Sequence, residues 1–273
     1  MAPPPKPLNV IALISGGKDS IYSLLHVLSL GHRVLAVGNL YPQGPGHVTP
    51  LTTTTPITTT SSTSSVGISS NGGISTQTTE DDAPDPDSHM YQTAGHALIP
   101  FIARALGLPL FRAPILGKAV IGGSTYAPPQ LSSTGGVVGG LGKEGKGEEG
   151  GEDETESLIP LLQAIKKAHP TANAVSAGAI LSTYQRTRIE SVAARLDLVP
   201  LAFLWQYPTL FKSEGEAALL AHMEEVGMEA RIVKVASGGL GEGELWVDVA
   251  SRAGREKVGR KVGRFGEGEG GVI

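Results

Sequence analysis

The stretch that decides the fold runs from Asn9 to Val37 and reads NVIALISGGKDSIYSLLHVLSLGHRVLAV. Its start, Asn9–Ile14, is a short apolar run rich in β-branched residues, the pattern of a strand buried on both faces. Ile21–Leu30 places apolar residues at helical spacing, and Gly31 is suited to end that helix. Val34–Val37 has the pattern of a second buried strand. The stretch therefore predicts a β-α-β unit, which implies a parallel sheet with a right-handed crossover.

The same alternation of strands and helices continues along the chain. Further helices are predicted at about 90–106, 156–168, 183–196 and 214–226, and further strands at 108–113, 174–181, 201–205 and 230–235. Pro100 lies inside the first of these helices and predicts a kink there, or two shorter helices. The pattern predicts an α/β fold with a doubly wound, mainly parallel, Rossmann-like sheet.

Two segments of biased composition interrupt this alternation. Residues 43–88 are rich in Ser and Thr, and residues 119–156 are rich in Gly. Neither holds enough apolar surface to offset the entropy of ordering it, so we expect two disordered inserts. We expect 8–205 to form the main domain, and 206–273 to be part of a smaller C-terminal substrate-binding region whose last residues form a solvated tail.

Composition excludes several classes of function. Cys is absent from the 273 residues, which excludes disulfides, thiolate metal sites and a cysteine nucleophile. The net charge of −4 gives no basic field for nucleic acid, so no direct nucleic-acid contact is expected. Apolar runs are too short to span a membrane, and the Pro-rich start has no signal-peptide core. We expect a soluble cytoplasmic protein.

A glycine-rich turn joins the first strand to the first helix. Its residues are Ser15, Gly16, Gly17, Lys18, Asp19 and Ser20. The two glycines let the backbone approach an anion, and the helix N-terminus favours phosphate. Lys18 adds a positive charge, the serine hydroxyls can donate to phosphate oxygens, and Asp19 is suited to Mg²⁺ or water. The alternative is an ordinary strand-to-helix turn.

A second group of polar residues follows a later strand, in the segment Gly178–Glu190, GAILSTYQRTRIE. Tyr184 and Arg188 are four residues apart and share a helix face, as do Arg186 and Glu190. An aromatic ring and two guanidinium groups suit an adenine, a phosphate or a carboxylate. The alternative is an exposed helix with one Arg–Glu pair.

SGGKDS in this setting resembles the PP-loop of the N-type ATP pyrophosphatases, which cleave ATP between its α and β phosphates. Three further blocks, MYQTAGH at 90–96, GAILSTYQRTRIE and RLDLVPLAFLW at 195–205, occur in the same order as in the diphthine–ammonia ligase family. The resemblance covers about 8–42, 88–118 and 156–240. It implies a PP-loop ATP-binding domain over 8–205.

The resemblance also implies an activity and a site. Members of the family use ATP, with Mg²⁺, and ammonium to amidate diphthine on translation elongation factor two, forming AMP and pyrophosphate. It implies ATP contacts from Ser15–Ser20, Gly178 and Tyr184, with Asp19 as the metal ligand. It implies substrate contacts from Tyr91, Gln92 and His96. The residues to which it gives catalytic roles are Lys18, Asp19, Arg186, Arg188 and Glu190.

The chain departs from the family near its end. The family has a Gly-Glu-Gly-Gly-Glu-aromatic-Glu-Thr motif, of which 266–271 is only an imperfect counterpart. One alternative is therefore a catalytically incomplete ATP-binding protein of the same family. Another is a different PP-loop amidotransferase or a tRNA-modifying enzyme, although the absence of Cys argues against sulfur transfer. A third is a regulatory nucleotide-binding module, in which Tyr184–Glu190 need not face the loop.

Overall fold

The computed structural model describes residues 6–42, 52–54, 95–117, 130–131, 137–138, 153–179, 183–206, 218–235, 239–262 and 270–272. The strands in these ranges are β1 (Asn9–Leu13), β2 (Arg33–Tyr41), β3 (Thr52–Thr54), β4 (Leu110–Pro114), β5 (Gln130–Leu131), β6 (Val137–Val138), β7 (Ala174–Ser176), β8 (Val199–Leu201), β9 (Ile232–Val235) and β10 (Gly270–Val272). The α-helices are α1 (Lys18–Ser29), α2 (Ile99–Ala105), α3 (Leu158–Ala168), α4 (Thr183–Arg195), α5 (Ala218–Glu225) and α6 (Arg252–Val262). No helix in this part of the chain has the length and apolar character needed to cross a membrane.

The main sheet confirms the predicted α/β fold. Its strand order is β3-β4-β2-β1-β7-β8. Neighbouring strands pair in parallel throughout the series β4, β2, β1, β7 and β8. Strand β3 pairs with β4 at the edge in the antiparallel sense. The chain runs from β1 outward through β2 to β4, then returns to the other side of β1 to form β7 and β8. This reversal makes the sheet doubly wound.

Helices cover both faces of the sheet because its central strand is apolar on both sides. Val10, Ile11 and Ala12 of β1 are at most 1% exposed. Ile11 packs in a cluster with apolar side chains of α3 and α4, whereas Ala12 packs with those of α1 and α2. The alternating directions of strand side chains thus place two helices in each layer.

The C-terminal elements pack on α1 through a separate apolar cluster. Tyr22 is 3% exposed and lies in that cluster together with residues of α5 and β9. Its hydroxyl is hydrogen-bonded to Nδ1 of His222 at 2.5 Å. One turn further along α1, the His26 ring meets Phe203 edge-on, with centroids 5.0 Å apart. The face of α1 that carries Tyr22 and His26 is therefore covered by aromatic contacts with the C-terminal part of the chain.

Three predicted elements differ clearly in their bounds. The strand predicted at 174–181 is shorter and ends at Ser176. The strand predicted at 201–205 lies at Val199–Leu201 and gives way to a 3-10 turn, Phe203–Gln206, because Leu204 packs in the C-terminal cluster instead of in the sheet. In the region predicted as a helix over 90–106, residues 95–105 form a 3-10 turn, His96–Leu98, followed by α2. Pro100 lies in the first turn of α2, where its missing N–H costs no hydrogen bond, and so it does not kink the helix.

Parts of the predicted inserts and tail have regular structure. Thr52–Thr54 form β3, and β5 pairs with β6 inside the second insert. Asp153–Glu156 were expected to belong to that insert, but Asp153, Glu154 and Thr155 are buried beside α4. Gly270–Val272 were expected in a solvated tail, but they pair antiparallel with β9. The remaining residues of 43–88 and 119–152 lie outside the described residues, and the domain boundary near 205 stays a prediction.

The contact between α1 and the C-terminal elements predicts a pH dependence of stability. Burial, and secondarily the neighbouring His222, lower the pKa of His26 below its ordinary value of 6.5. The unfolded chain therefore binds the proton more readily than the folded protein. The free energy of unfolding is at its full value above about pH 6.5, the pKa of an ordinary histidine, and decreases as the pH falls below it. Urea unfolding of the wild type from pH 8 to pH 5 should show this loss. His26→Phe keeps an aromatic ring there and should reduce the slope; an unchanged slope would contradict the assignment.

Helix α6 offers a matched pair of glycines that tests its packing. An ideal Cβ on the buried Gly254 would lie 1.8 Å from the Asp248 carbonyl oxygen, whereas one on the exposed Gly259 meets no atom within 4 Å. We expect Gly254→Ala to lower the free energy of unfolding by about 1–3 kcal/mol or more, the usual cost of overpacking. Gly259→Ala should raise it by up to about 1 kcal/mol, because alanine favours helix. Equal unfolding midpoints for the two variants would rule out this packing of α6.

Candidate active site

The candidate site lies at the carboxyl ends of β1 and β7, the neighbouring strands where the chain reverses its direction of winding. After β1 the chain leads through α1 to β2, and after β7 it leads through α4 to β8 on the opposite side. Connections that diverge in this way leave a crevice at the strand ends, which is where open α/β sheets bind ligands. Ser15–Ser20 follows β1 there, and Gly178 follows β7.

Gly16 is the glycine of the loop whose lack of a side chain has a steric explanation. Gly16 has a φ of +90°, a left-handed conformation that side chains rarely adopt, and a Cβ there would lie 3.1 Å from the Gly95 carbonyl oxygen. Gly95 itself has a φ of +83° and immediately precedes the half-buried His96. Gly16 thus brings the loop against the start of the segment that contains His96.

Gly178 touches the other side of the same loop. An ideal Cβ on Gly178 would lie 2.6 Å from the Ser20 backbone N and 2.8 Å from the Asp19 carbonyl carbon. Any side chain would have to displace backbone, because the nearest atoms belong to the first turn of α1. Gly178 and the loop are thus neighbours, and the geometric role of Gly178 is to let the two backbones meet.

The loop keeps two backbone N–H groups available for a ligand. The Gly17 N–H donates to the Ser15 hydroxyl, and the Ser20 N–H donates to the Gly17 carbonyl. Those of Lys18 and Asp19 form no hydrogen bond to any described residue. The Ser20 hydroxyl donates to the Gly17 carbonyl at 2.8 Å, so it braces the loop here instead of facing a phosphate. The free N–H groups and the helix dipole suit an anion.

Lys18 and Asp19 form an ion pair across the entrance to this helix. Lys18 Nζ lies 2.9 Å from Asp19 Oδ2, and both side chains are partly exposed. Asp19 Oδ1 is buried and has no hydrogen-bond partner among the described residues. No group of three or more metal-binding side chains occurs in the part of the chain that the structure describes. The free Oδ1 fits a Mg²⁺ that takes one protein carboxylate and keeps water and phosphate oxygens as its other ligands.

The polar residues of α4 divide into two pairs with different surroundings. Arg186 Nε lies 2.6 Å from Glu190 Oε1, and both side chains are about one third exposed. Arg188 is 2% exposed, with its guanidinium carbon 3.4 Å from the centre of the Tyr184 ring and Nη2 3.4 Å from Asp153 Oδ2. Arg186 and Glu190 are therefore open to solvent, whereas Arg188 is enclosed between Tyr184 and Asp153.

The buried charges also set the ionisation of Tyr184. Burial raises the pKa of its phenol; Arg188 opposes this shift, while Asp153 and Glu154 reinforce it. The phenol is thus neutral at physiological pH and can act as a hydrogen-bond donor.

The structure brings together only some of the predicted site residues. Ser15–Ser20, Gly178 and the backbone preceding His96 meet in one crevice. The described contacts of Tyr184 and Arg188 are with each other, Asp153 and the α3–α4 side of the core. Tyr91 and Gln92 lie outside the described residues.

Sequence reasoning missed Asp153. Its Oδ1 accepts the Thr155 N–H at 2.8 Å, capping the 3-10 turn Glu154–Ser157 that leads into α3, while its Oδ2 meets Arg188. An Asp shortly before an apolar helical run is a recognisable cap signal. The partner on α4, 35 positions away, has no local signal.

Comparison with known proteins gives one consistent result. Matches named diphthine–ammonia ligase include proteins of Schizosaccharomyces pombe (35% identity over 89% of this chain), Danio rerio (35% over 85%) and Homo sapiens (33% over 85%). The chain spans 29%, 66% and 64% of these relatives, respectively, and so less than two thirds of their length. No protein-family model matches it.

The contact at Gly178 predicts that a single methyl group disrupts the loop. Gly178→Ala must push the first turn of α1 away from β7, so we expect at least about tenfold weaker pyrophosphate binding, equivalent to the loss of one or two well-placed hydrogen bonds. Gly243→Ala is the control, because nothing lies within 4 Å of a Cβ there. Isothermal titration calorimetry on the folded variants would measure both. Equal affinity for the two variants would contradict an anion site at this crevice.

Proposed function

Because this chain belongs to the diphthine–ammonia ligase family, we propose that it binds ATP at Ser15–Ser20 and uses it to amidate diphthine on translation elongation factor two, with ammonium as the nitrogen donor. The observation that carries the proposal is the crevice at the ends of β1 and β7, with its two free N–H groups and Lys18 beside them. In the reaction, the diphthine carboxylate attacks the α-phosphorus of ATP, pyrophosphate leaves, and ammonia then displaces AMP. Ammonium loses one proton to become the nucleophile and a second as the amide forms, and no covalent enzyme intermediate is needed.

Residues of the loop supply the positioning in this scheme. The N–H groups of Lys18 and Asp19 face the phosphates. The Lys18 ammonium leaves its ion pair with Asp19 and stabilises the negative charge that develops on the departing pyrophosphate. Asp19 Oδ1 would hold Mg²⁺, which supplies charge neutralisation to the phosphates when bound. The Gly178 contact keeps α1 at the distance from β7 that this arrangement needs.

Helix α4 supplies a second set of groups. Arg186 and Glu190 are the members of the set exposed enough to reach a bound substrate. Arg188 is buried, so we assign it the role of holding the Tyr184 ring. His96 is proposed to contact the diphthine side chain from the α2 side of the crevice, and Tyr91 and Gln92 stay predicted substrate contacts.

The decisive measurement is the nucleotide product. The purified chain, incubated with ATP, magnesium, ammonium and elongation factor two that carries diphthine, should form AMP, pyrophosphate and the amide. Formation of ADP would refute the proposed chemistry. Binding of ATP without formation of AMP would favour a nucleotide-binding module over an enzyme.

Lys18 provides the mutational test. Lys18→Met should lower AMP formation about 100-fold, the usual scale for loss of a group that stabilises a departing anion. Lys167→Met, an exposed substitution on α3, should leave the rate unchanged and is the control. A Lys18→Met protein that stays folded and forms AMP at the wild-type rate would remove the loop from the mechanism.

A further inference from the structure

A buried amide lies next to the start of the phosphate loop, on β2. Asn39 is 2% exposed in an otherwise apolar part of that strand. Its Nδ2 donates to the Ile14 carbonyl at 2.9 Å and to the Leu40 carbonyl at 3.1 Å. Ile14 is the residue directly before Ser15, so this hydrogen bond acts on the peptide unit where the loop begins.

The orientation of that amide is determined by Arg112. In the β2–β4 register Asn39 lies opposite Arg112, whose Nε donates to Asn39 Oδ1 at 3.0 Å. The Arg112 guanidinium also lies over the Tyr41 ring, 4.6 Å from its centre. A guanidinium has donors only, so the amide oxygen must face it and the NH₂ group must face Ile14. Arg112 thus decides which end of the amide reaches the loop.

Both backbone groups of Ile14 are hydrogen-bonded to residues of β2. Its N–H donates to the Gly38 carbonyl at 2.9 Å, and its carbonyl accepts from Asn39. Buried, fully paired polar networks of this kind specify one arrangement, because an unpaired buried carbonyl is costly. The loop is therefore aligned from the β2 side by Asn39 and from the β7 side by Gly178.

We infer that Asn39, oriented by Arg112, is a positioning residue for the Ser15–Ser20 loop, setting the direction in which its N–H groups face the pyrophosphate part of ATP. The inference rests on the proposed function, since it assigns the phosphates to this loop. Asn39 itself need not touch the ligand.

Two asparagines test this: Asn39 on β2, which bonds the backbone just after the carboxyl end of β1, and Asn9 at the amino end of β1. Asn39→Leu removes the donor at the carboxyl end without changing charge. Asn9→Leu removes a comparable side-chain hydrogen bond, Asn9 Nδ2 to the Thr171 carbonyl at 3.1 Å, at the amino end away from the loop. The affinities for pyrophosphate and ATP should be measured by calorimetry in the presence of magnesium, at a temperature well below the melting temperature of each variant. Each variant is then folded, so a change in affinity reports positioning and not a loss of stability.

We expect Asn39→Leu to weaken both ligands about tenfold or more, and Asn9→Leu to change them less than about twofold. Equal affinities for the two variants would overturn the positioning role. A wild-type chain that binds neither ligand would instead overturn the proposed function, so the two failures are distinguishable.

Arg112→Lys is a second, independent variant, needed if Asn39→Leu does not fold. It keeps the positive charge but loses the planar Nε–H that orients the amide. We expect about threefold weaker pyrophosphate binding, as for a partly randomised hydrogen bond, with a melting temperature close to that of the wild type. Unchanged affinity in this folded variant would also overturn the inference.

Discussion

The close approach of the backbone at Gly178, after β7, to the first turn of α1 is the constraint on which the rest of the candidate site depends. It requires β1 and β7 to be neighbours, which in turn requires the chain to reverse direction after β4. It also requires a residue without a side chain at the end of β7, because the atoms opposite belong to the backbone of Asp19 and Ser20. Sheet topology and one missing methyl group together determine where the helix N-terminus lies.

The ion pairs in and near the candidate site differ in how far they are buried. The pairs Lys18–Asp19 and Arg186–Glu190 are partly open to water, where breaking and remaking an ion pair costs little. The Arg188–Asp153 pair is buried, and removal of one partner from such a pair costs about 3–5 kcal/mol because the other charge is left unpaired. The open pairs can therefore exchange partners when a ligand arrives, whereas the buried pair keeps α4 and the start of α3 in fixed register.

Much of the fold could be predicted because its central elements carry strong periodic signals. β1, α1 and β2 are adjacent in sequence and apolar at the expected spacing, so local pattern and tertiary position agree. The prediction was less accurate at Leu201–Trp205, where Leu201 ends β8 and Leu204 is buried with residues of α5 and β9 instead of in the sheet, a choice that periodicity cannot distinguish.

The candidate site shows the same limit more sharply. The position of Ser15–Ser20 as a glycine-rich turn at a helix N-terminus follows from its own residues and was predictable. The arginine contacts of Asp153 and Asn39 could not be predicted, because each arginine is distant in sequence and brought near only by the fold. A single Asn at the end of an apolar strand was the one local signal available for Asn39.

The two long segments of biased composition attach to the fold in a particular way. The first begins after β2 and returns before α2, and the second begins after β4 and returns at Asp153, before α3. Both are thus β-to-α connections, whose ends lie on the same rim of the sheet as the glycine-rich turn. The parallel pairings of β4, β2, β1, β7 and β8 all lie outside the two segments, so a change in the length of either segment can be taken up at this rim without altering the parallel part of the sheet.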